Sequence, residues 1–88
     1  MANSANLLKV RILFFARASE LAGAAYGDLN LPSPATARDA EAAIHGAYPR
    51  IRDELKVYRI AVDQEFATPD TPVHDGSEVA IIPPVSGG

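Results

Sequence analysis

The residues best suited to chemistry lie in the last segment of the chain, residues 83–88, which has the sequence PPVSGG. Two adjacent prolines cannot pair in a sheet and favour a polyproline II path, so they direct the chain away from a folded body. Gly87 and Gly88 form a tip without side chains, which can enter a channel too narrow for a Cβ atom and adopt φ of either sign. The group at that tip is the α-carboxylate of Gly88. We therefore predict that Gly88 is the reactive residue and that Val85, Ser86 and Gly87 form its flexible tail.

The rest of the sequence lacks the usual catalytic signatures. There is no cysteine, so the chain has no disulfide, no thiolate metal site and no thiol nucleophile. There is also no HExxH motif, no Ser-His-Asp arrangement, no glycine-rich phosphate loop and no paired acidic motif with a pocket. His45 and His74 are expected at the surface. Four acidic residues are expected to be solvated loop charges: Asp53, Glu54, Asp63 and Glu65. The chain is predicted to present a group for chemistry rather than to act as an enzyme.

Length and composition exclude several classes of protein. The 88 residues suffice for one domain with a modest core, because a domain this small removes only about 60% of its surface from water. A net charge of -3 and eight scattered Lys and Arg residues argue against a nucleic-acid partner. No apolar run approaches the roughly 18 residues that span a bilayer, and the small polar start shows no signal peptide. We expect a cytoplasmic protein without a membrane partner.

Alternation of apolar residues predicts a sheet. The predicted strands are residues 8–16, 28–31, 56–62, a short strand near Phe66, and 78–82. The last of these is apolar on both faces, which fits a central position. Turns are expected at Asp63-Gln64 and Asp75-Gly76, because these residue types tolerate turn conformations. Residues 17–27 are predicted to be a loop with one helical turn at 19–22.

One helix is predicted between the second and third strands. Thr36 is a suitable N-cap with Asp39 three residues on, a variant of the capping box, and Pro49 stops the helix. The residues at helical spacing between them are Ala37, Ala40, Ile44, Ala47 and Tyr48. A four- to five-stranded mixed sheet with one main helix across one face is an α+β roll.

The face of the sheet away from the helix is predicted to remain open. Leu13, Phe15 and Ile82 have the strand parity opposite to the helix-packed residues, whereas Phe14 is expected in the core. Aromatic residues are enriched in the cores of protein interfaces. Phe15 is therefore a candidate for contacting a partner.

Five segments carry a resemblance to a known family: VRILFFA at 10–16, ELAG at 20–23, YP at 48–49, AVDQEF at 61–66 and DGSEVAIIPPVSGG at 75–88. They resemble the β-grasp (ubiquitin-like) sulfur carriers that serve as the small subunit of molybdopterin synthase. The last segment is the most specific. Asp63 and Ser77 stand where the family commonly has Asn and Asp, and Ser19 stands where an Arg is frequent. The resemblance implies a flexible N-terminal extension at 1–7, a β-grasp domain at 8–84 and a flexible tail at 85–88.

The resemblance also implies the chemistry of the tail. A separate ubiquitin-activating-like adenylyltransferase would use ATP to adenylate Gly88, and a sulfur donor system would convert it to a thiocarboxylate. The loaded tail would enter the large subunit of the synthase, within a heterotetramer, and donate sulfur to cyclic pyranopterin monophosphate. The chain itself would hold no permanent cofactor and no metal. Residues expected to contact these partners are Phe15, Phe66, Ile82, Pro83 and Pro84.

Three other functions remain open from the sequence. The same fold and tail occur in carriers that supply sulfur for thiazole synthesis or tRNA thiolation. A protein modifier would use Gly88 to form isopeptide bonds with lysines, through the same adenylate. A plain interaction module would leave the tail unmodified.

Overall fold

The structure, a computed structural model, describes residues 6–84. The predicted tail at 85–88 and most of the predicted N-terminal extension lie outside the described residues. Within these residues, seven strands and three helices follow in the order β1 (Leu7–Phe14), α1 (Arg17–Ala22), β2 (Tyr26–Pro32), β3 (Ala35–Thr36), α2 (Ala37–Ala47), α3 (Pro49–Glu54), β4 (Arg59–Val62), β5 (Glu65–Phe66), β6 (Pro72–Val73) and β7 (Glu78–Ile82).

The main sheet has five strands in the order β2-β1-β7-β4-β5. β1 and β7 run parallel and the other neighbouring pairs run antiparallel, so the sheet is mixed as predicted. β7 lies in the centre, which confirms the prediction from its two apolar faces. A second sheet of two residues per strand, β3 with β6, was not predicted.

Strand alternation divides β1 between the core and the open face. Val10, Ile12 and Phe14 are buried, whereas Lys9 and Arg11 are exposed on the other face. The strand ends at Phe14 rather than at the predicted Ala16. Ala16 has a φ of 52°, which turns the chain out of the extended conformation.

The capping box of α2 forms as predicted. The backbone N–H of Thr36 donates to the Asp39 carboxylate at 2.8 Å, which satisfies a donor at the helix start. Ala37, Ala40 and Ile44 are buried against the sheet, and the small alanines let the helix lie close to it. Ala47, expected on the same stripe, is exposed because the helix ends there.

Further sequence-based boundaries were wrong. Pro49 ends α2 but also begins α3, because a proline at the first helical position needs no N–H partner. Asp53 and Glu54 are consequently exposed helix residues, paired with Arg52 and Arg50, rather than loop charges. β2 begins at Tyr26 instead of Asp28, and β4 begins at Arg59 instead of Lys56. The predicted helical turn after β1 is the six-residue helix α1.

The core lies between the sheet and the helices. Its largest fully buried side chains are Val10, Ile12, Ile44, Ile51, Val79 and Ile81. Tyr48 closes one end, with its ring 4.7 Å from that of Phe14 and its hydroxyl against the Cα of Gly27. A side chain at Gly27 would displace that hydroxyl, so the close approach requires glycine. In residues 6–84, no helix has the length and apolar character needed to cross a bilayer.

Candidate functional site

The central strand delivers the chain to the rim of the open face. Ile82, the last residue of β7, lies opposite Arg59 of β4 and is half-buried. Pro83 is buried and Pro84 is exposed, so the chain leaves the body between them. A proline has no N–H for the ladder, which explains why strand pairing stops here. The predicted reactive residue Gly88, and with it Val85, Ser86 and Gly87, follows directly but lies outside the described residues.

An apolar groove of about 600 Å³ borders this exit point. Its lining residues are Phe15, Ala16, Arg17, Glu20, Ile82, Pro83 and Pro84. The Phe15 side chain is 48% exposed, and its backbone N–H donates to the Ile81 carbonyl at 3.2 Å. That bond holds the end of β1 beside the end of β7. The structure thus brings together four of the five residues predicted to contact partners.

Phe66, the fifth predicted contact residue, lies on the same face but outside the groove. Strand register aligns Leu13, Ala80, Ala61 and Phe66 in one row across the open face. Phe66 is 62% exposed at the far edge, and the Arg59 guanidinium lies 4.0 Å from the centre of its ring. Phe66 and the groove therefore lie on opposite sides of β4, and Arg59, which is in register with Ile82, contacts the Phe66 ring.

The opposite half of the open face is charged. Arg11 forms an ion pair with Asp28 at 3.2 Å, lies opposite Glu78, and stacks over the Tyr26 ring at 4.6 Å. The surface therefore changes from charged to apolar toward the tail exit. A partner that covers the groove and the apolar row would make its water-excluding apolar contact on the side where the tail emerges.

Charge at the groove rim comes from one arginine and its acidic partners. The Arg17 guanidinium lies 2.9 Å from the Glu20 carboxylate and 3.7 Å from that of Glu54. All three side chains are substantially exposed, so these pairs contribute little to stability. They leave the rim polar around an apolar floor.

Two residues expected to be solvated have structural partners. The Asp63 carboxylate accepts hydrogen bonds from the Ser77 hydroxyl and the Glu78 backbone N–H, both at 3.0 Å. Ser77 is buried and its oxygen accepts the His74 N–H at 2.9 Å. Asp63 therefore joins the turn after β4 to the turn before β7. His74 is exposed as predicted.

His45, the second of these residues, is half-buried rather than a free surface residue. Its Nε2 lies 2.9 Å from the Tyr58 hydroxyl, which in turn donates to the Glu41 carboxylate. The Tyr58 hydroxyl is therefore shared between the His45 ring and the Glu41 carboxylate. Burial and the Glu41 carboxylate raise the pKa of Tyr58. Within residues 6–84, no three His, Asp or Glu side chains are grouped to hold a metal ion.

Comparison with known proteins identifies the family to which this chain belongs. Residues 12–88 match the model of the ThiS family, and this matched range includes the whole predicted tail. The chain belongs to the ThiS family. This ThiS-family chain is 36% identical over 83 residues to a molybdopterin synthase sulfur carrier subunit of Chlamydomonas reinhardtii, covering 92% of this chain and 100% of the relative. The predicted resemblance to that class of carrier is confirmed.

Solved structures place the ThiS-family chain in the ubiquitin-like fold. A putative molybdopterin converting factor subunit 1 from Pyrococcus furiosus superposes with a TM-score of 0.79 at 30% identity, covering 89% of this chain and 99% of that one. Small archaeal modifier protein 1 from Haloferax volcanii superposes with a TM-score of 0.80 at 26% identity, with the same coverage. The predicted β-grasp fold is confirmed.

Proposed function

We propose that this chain is the sulfur carrier subunit of a molybdopterin synthase and that Gly88 carries the sulfur as a C-terminal thiocarboxylate. The observation that carries the proposal is the end of β7, where the central strand stops at a proline pair beside an apolar groove. Similarity to sulfur carrier subunits over 92% of the chain supports it.

Loading of the tail requires activation, because a carboxylate is a poor acyl donor. A separate adenylyltransferase joins the Gly88 carboxylate to the AMP moiety of ATP and releases pyrophosphate. Sulfur from a donor system then forms the new C–S bond as AMP leaves. The product is a good nucleophile at neutral pH, because its sulfur carries the negative charge and is polarisable, as in a thiolate.

Sulfur transfer takes place on the large subunit of the synthase. The tail enters that subunit, and its sulfur attacks a carbon of cyclic pyranopterin monophosphate, forming a C–S bond as a C–O bond to that carbon breaks. Hydrolysis of the resulting thioester leaves the sulfur on the pterin, and a second transfer completes the dithiolene. Two sulfur atoms are needed for each product, so loaded carriers must act more than once per product, within an assembly of two small and two large subunits. The large subunit supplies the catalytic groups, and this chain supplies the sulfur and then regains its carboxylate by hydrolysis.

The groove and the apolar row of the open face form the docking surface for both partners. The floor near the tail is apolar, with Phe15 half exposed and Ile82 half buried, and the rim is charged. This arrangement is typical of a protein interface. Because both partners must receive the same tail, we place both on this face.

Intact-mass analysis tests the loading step. Exchange of the terminal OH for SH adds about 16 Da, nearly the same as oxidation of a methionine, so the shift must be mapped to the C-terminal peptide. We expect the shift after incubation with the adenylyltransferase, ATP and a sulfur donor. A chain lacking Gly88 is the control and must show none. An unshifted C-terminal peptide in the full chain would refute the proposal.

Small archaeal modifier protein 1 favours a second candidate function, that of a protein modifier. The chemistry is identical up to the adenylate, after which a lysine amine would attack instead of sulfur. The appearance of high-molecular-weight conjugates in cell extract, lost on deletion of Gly88, would support this function.

A further inference from the structure

Ala16 occupies a backbone conformation that suits glycine. Its φ of 52° and ψ of -127° are those of the first central residue of a type II′ turn, in which the Ala18 N–H donates to the Phe15 carbonyl at 2.9 Å. Glycine is the preferred residue at that position, because a Cβ atom is strained at positive φ. Alanine therefore lowers the stability of the chain at this turn.

Elsewhere, the described part of the chain uses glycine or polar residues at positive φ. Gly23 ends α1 at a φ of 75° and Gly76 forms a turn at 87°. The other two such residues, Asp63 and Gln64, are polar and form the turn after β4. Within residues 6–84, Ala16 is thus the one apolar side chain held in this strained region.

Neighbouring hydrogen bonds hold the strained conformation in place. The Phe15 N–H is fixed to the Ile81 carbonyl, and the Ala16 carbonyl accepts both the N–H and the hydroxyl of Ser19, at 3.0 and 2.8 Å. The chain is therefore anchored on both sides of the Ala16 Cα. Strain that is fixed in this way is found at functional sites.

Ala16 lines the groove beside the tail exit. We propose that Ala16 is a positioning residue of the docking groove: its methyl group completes the apolar wall, and its restricted backbone fixes the direction of the Phe15 side chain. Glycine would relieve the strain, but it would remove the methyl group from the groove wall. It would also allow the backbone at residue 16 a wider range of conformations. This inference rests on the proposed function, since it assumes that a partner covers the groove.

Substitution at Ala16 separates stability from docking. For Ala16→Gly we expect an equal or higher Tm, because strain is relieved, together with weaker binding of the large subunit measured by titration calorimetry. The expected rise in Kd is about fourfold, because a buried methyl group contributes about 0.8 kcal/mol and about 1.4 kcal/mol is tenfold. Ala16→Ser keeps the Cβ atom and should bind within about twofold of the wild type, a difference of about 0.4 kcal/mol.

A control variant places an alanine at positive φ outside the groove. Gly23 has positive φ, and the space that a methyl group would occupy there is open, so Gly23→Ala should lower Tm and leave Kd unchanged. Binding of Ala16→Gly as tightly as the wild type, or a clear fall in its Tm, would overturn the inference. Failure of the wild-type chain to bind the large subunit would instead refute the proposed function.

Discussion

Replacing Phe15 with aspartate should disrupt docking far more than it disturbs the fold. The Phe15 side chain is 48% exposed, and a whole aromatic side chain buries about 150–250 Å². A partner can therefore remove about 100 Å² of it from water, which at about 25 cal/mol per Å² contributes about 2.5 kcal/mol. That free energy corresponds to about a 60-fold change in Kd, and the charge of aspartate in a dry contact adds to it.

The assay is titration calorimetry of Phe15→Asp against the large subunit of molybdopterin synthase, with circular dichroism to establish that the variant is folded. Val57→Asp is the matched control, because Val57 is 66% exposed and does not line the groove. We expect the control to bind within about twofold of the wild type. A folded Phe15→Asp variant with wild-type affinity would refute the assignment of the groove as the docking surface.

Three further predictions concern stability and are measured by denaturant unfolding. Asp63→Ala should lower the free energy of unfolding by about 2–4 kcal/mol, because it removes the acceptor of the buried Ser77 hydroxyl and places alanine at a positive φ. Asp63→Asn should lower it by less than half of that amount. Gly27→Ala should cost about 1–3 kcal/mol by displacing the Tyr48 hydroxyl, and adding Tyr48→Phe should recover part of the loss. The raised pKa of Tyr58 means that the unfolded chain ionises first, so wild-type stability should fall as pH rises above 10.0, and Tyr58→Phe should lack that fall. Equal losses of stability for the two Asp63 variants would contradict the role of the Asp63–Ser77 hydrogen bond. The absence of any recovery in the Gly27→Ala/Tyr48→Phe double variant would contradict the close approach of Tyr48 to Gly27. Identical pH profiles for the wild type and Tyr58→Phe would contradict the effect of burial and Glu41 on Tyr58.

Elements governed by local rules could be predicted from the sequence. The capping box at Thr36 and the two apolar faces of 78–82 each depend on residues close together in the chain, and both the helix start and the central strand are as expected. The positions of Phe15 and Ile82 on the open face follow from strand parity alone. The family resemblance added the tail chemistry, which no local rule supplies.

Features that depend on distant partners could not be predicted. β3 and β6 have two residues each, too few to show any periodicity. The role of Asp63 depends on Ser77, fourteen residues away. Pro49 is compatible both with the end of one helix and with the start of the next, so α3 had no distinct signal. The separation of Phe66 from the groove required the register of β4 with β5.

Reconstitution of dithiolene synthesis tests the central claim most directly. The full chain is loaded with sulfur by the adenylyltransferase, ATP and a sulfur donor, and is then mixed with the large subunit and cyclic pyranopterin monophosphate. The account predicts dithiolene product in proportion to the loaded chain, and none from a chain lacking Gly88 that has been treated in the same way. Product formation by the chain without Gly88 would contradict the claim that its terminal carboxyl group carries the sulfur.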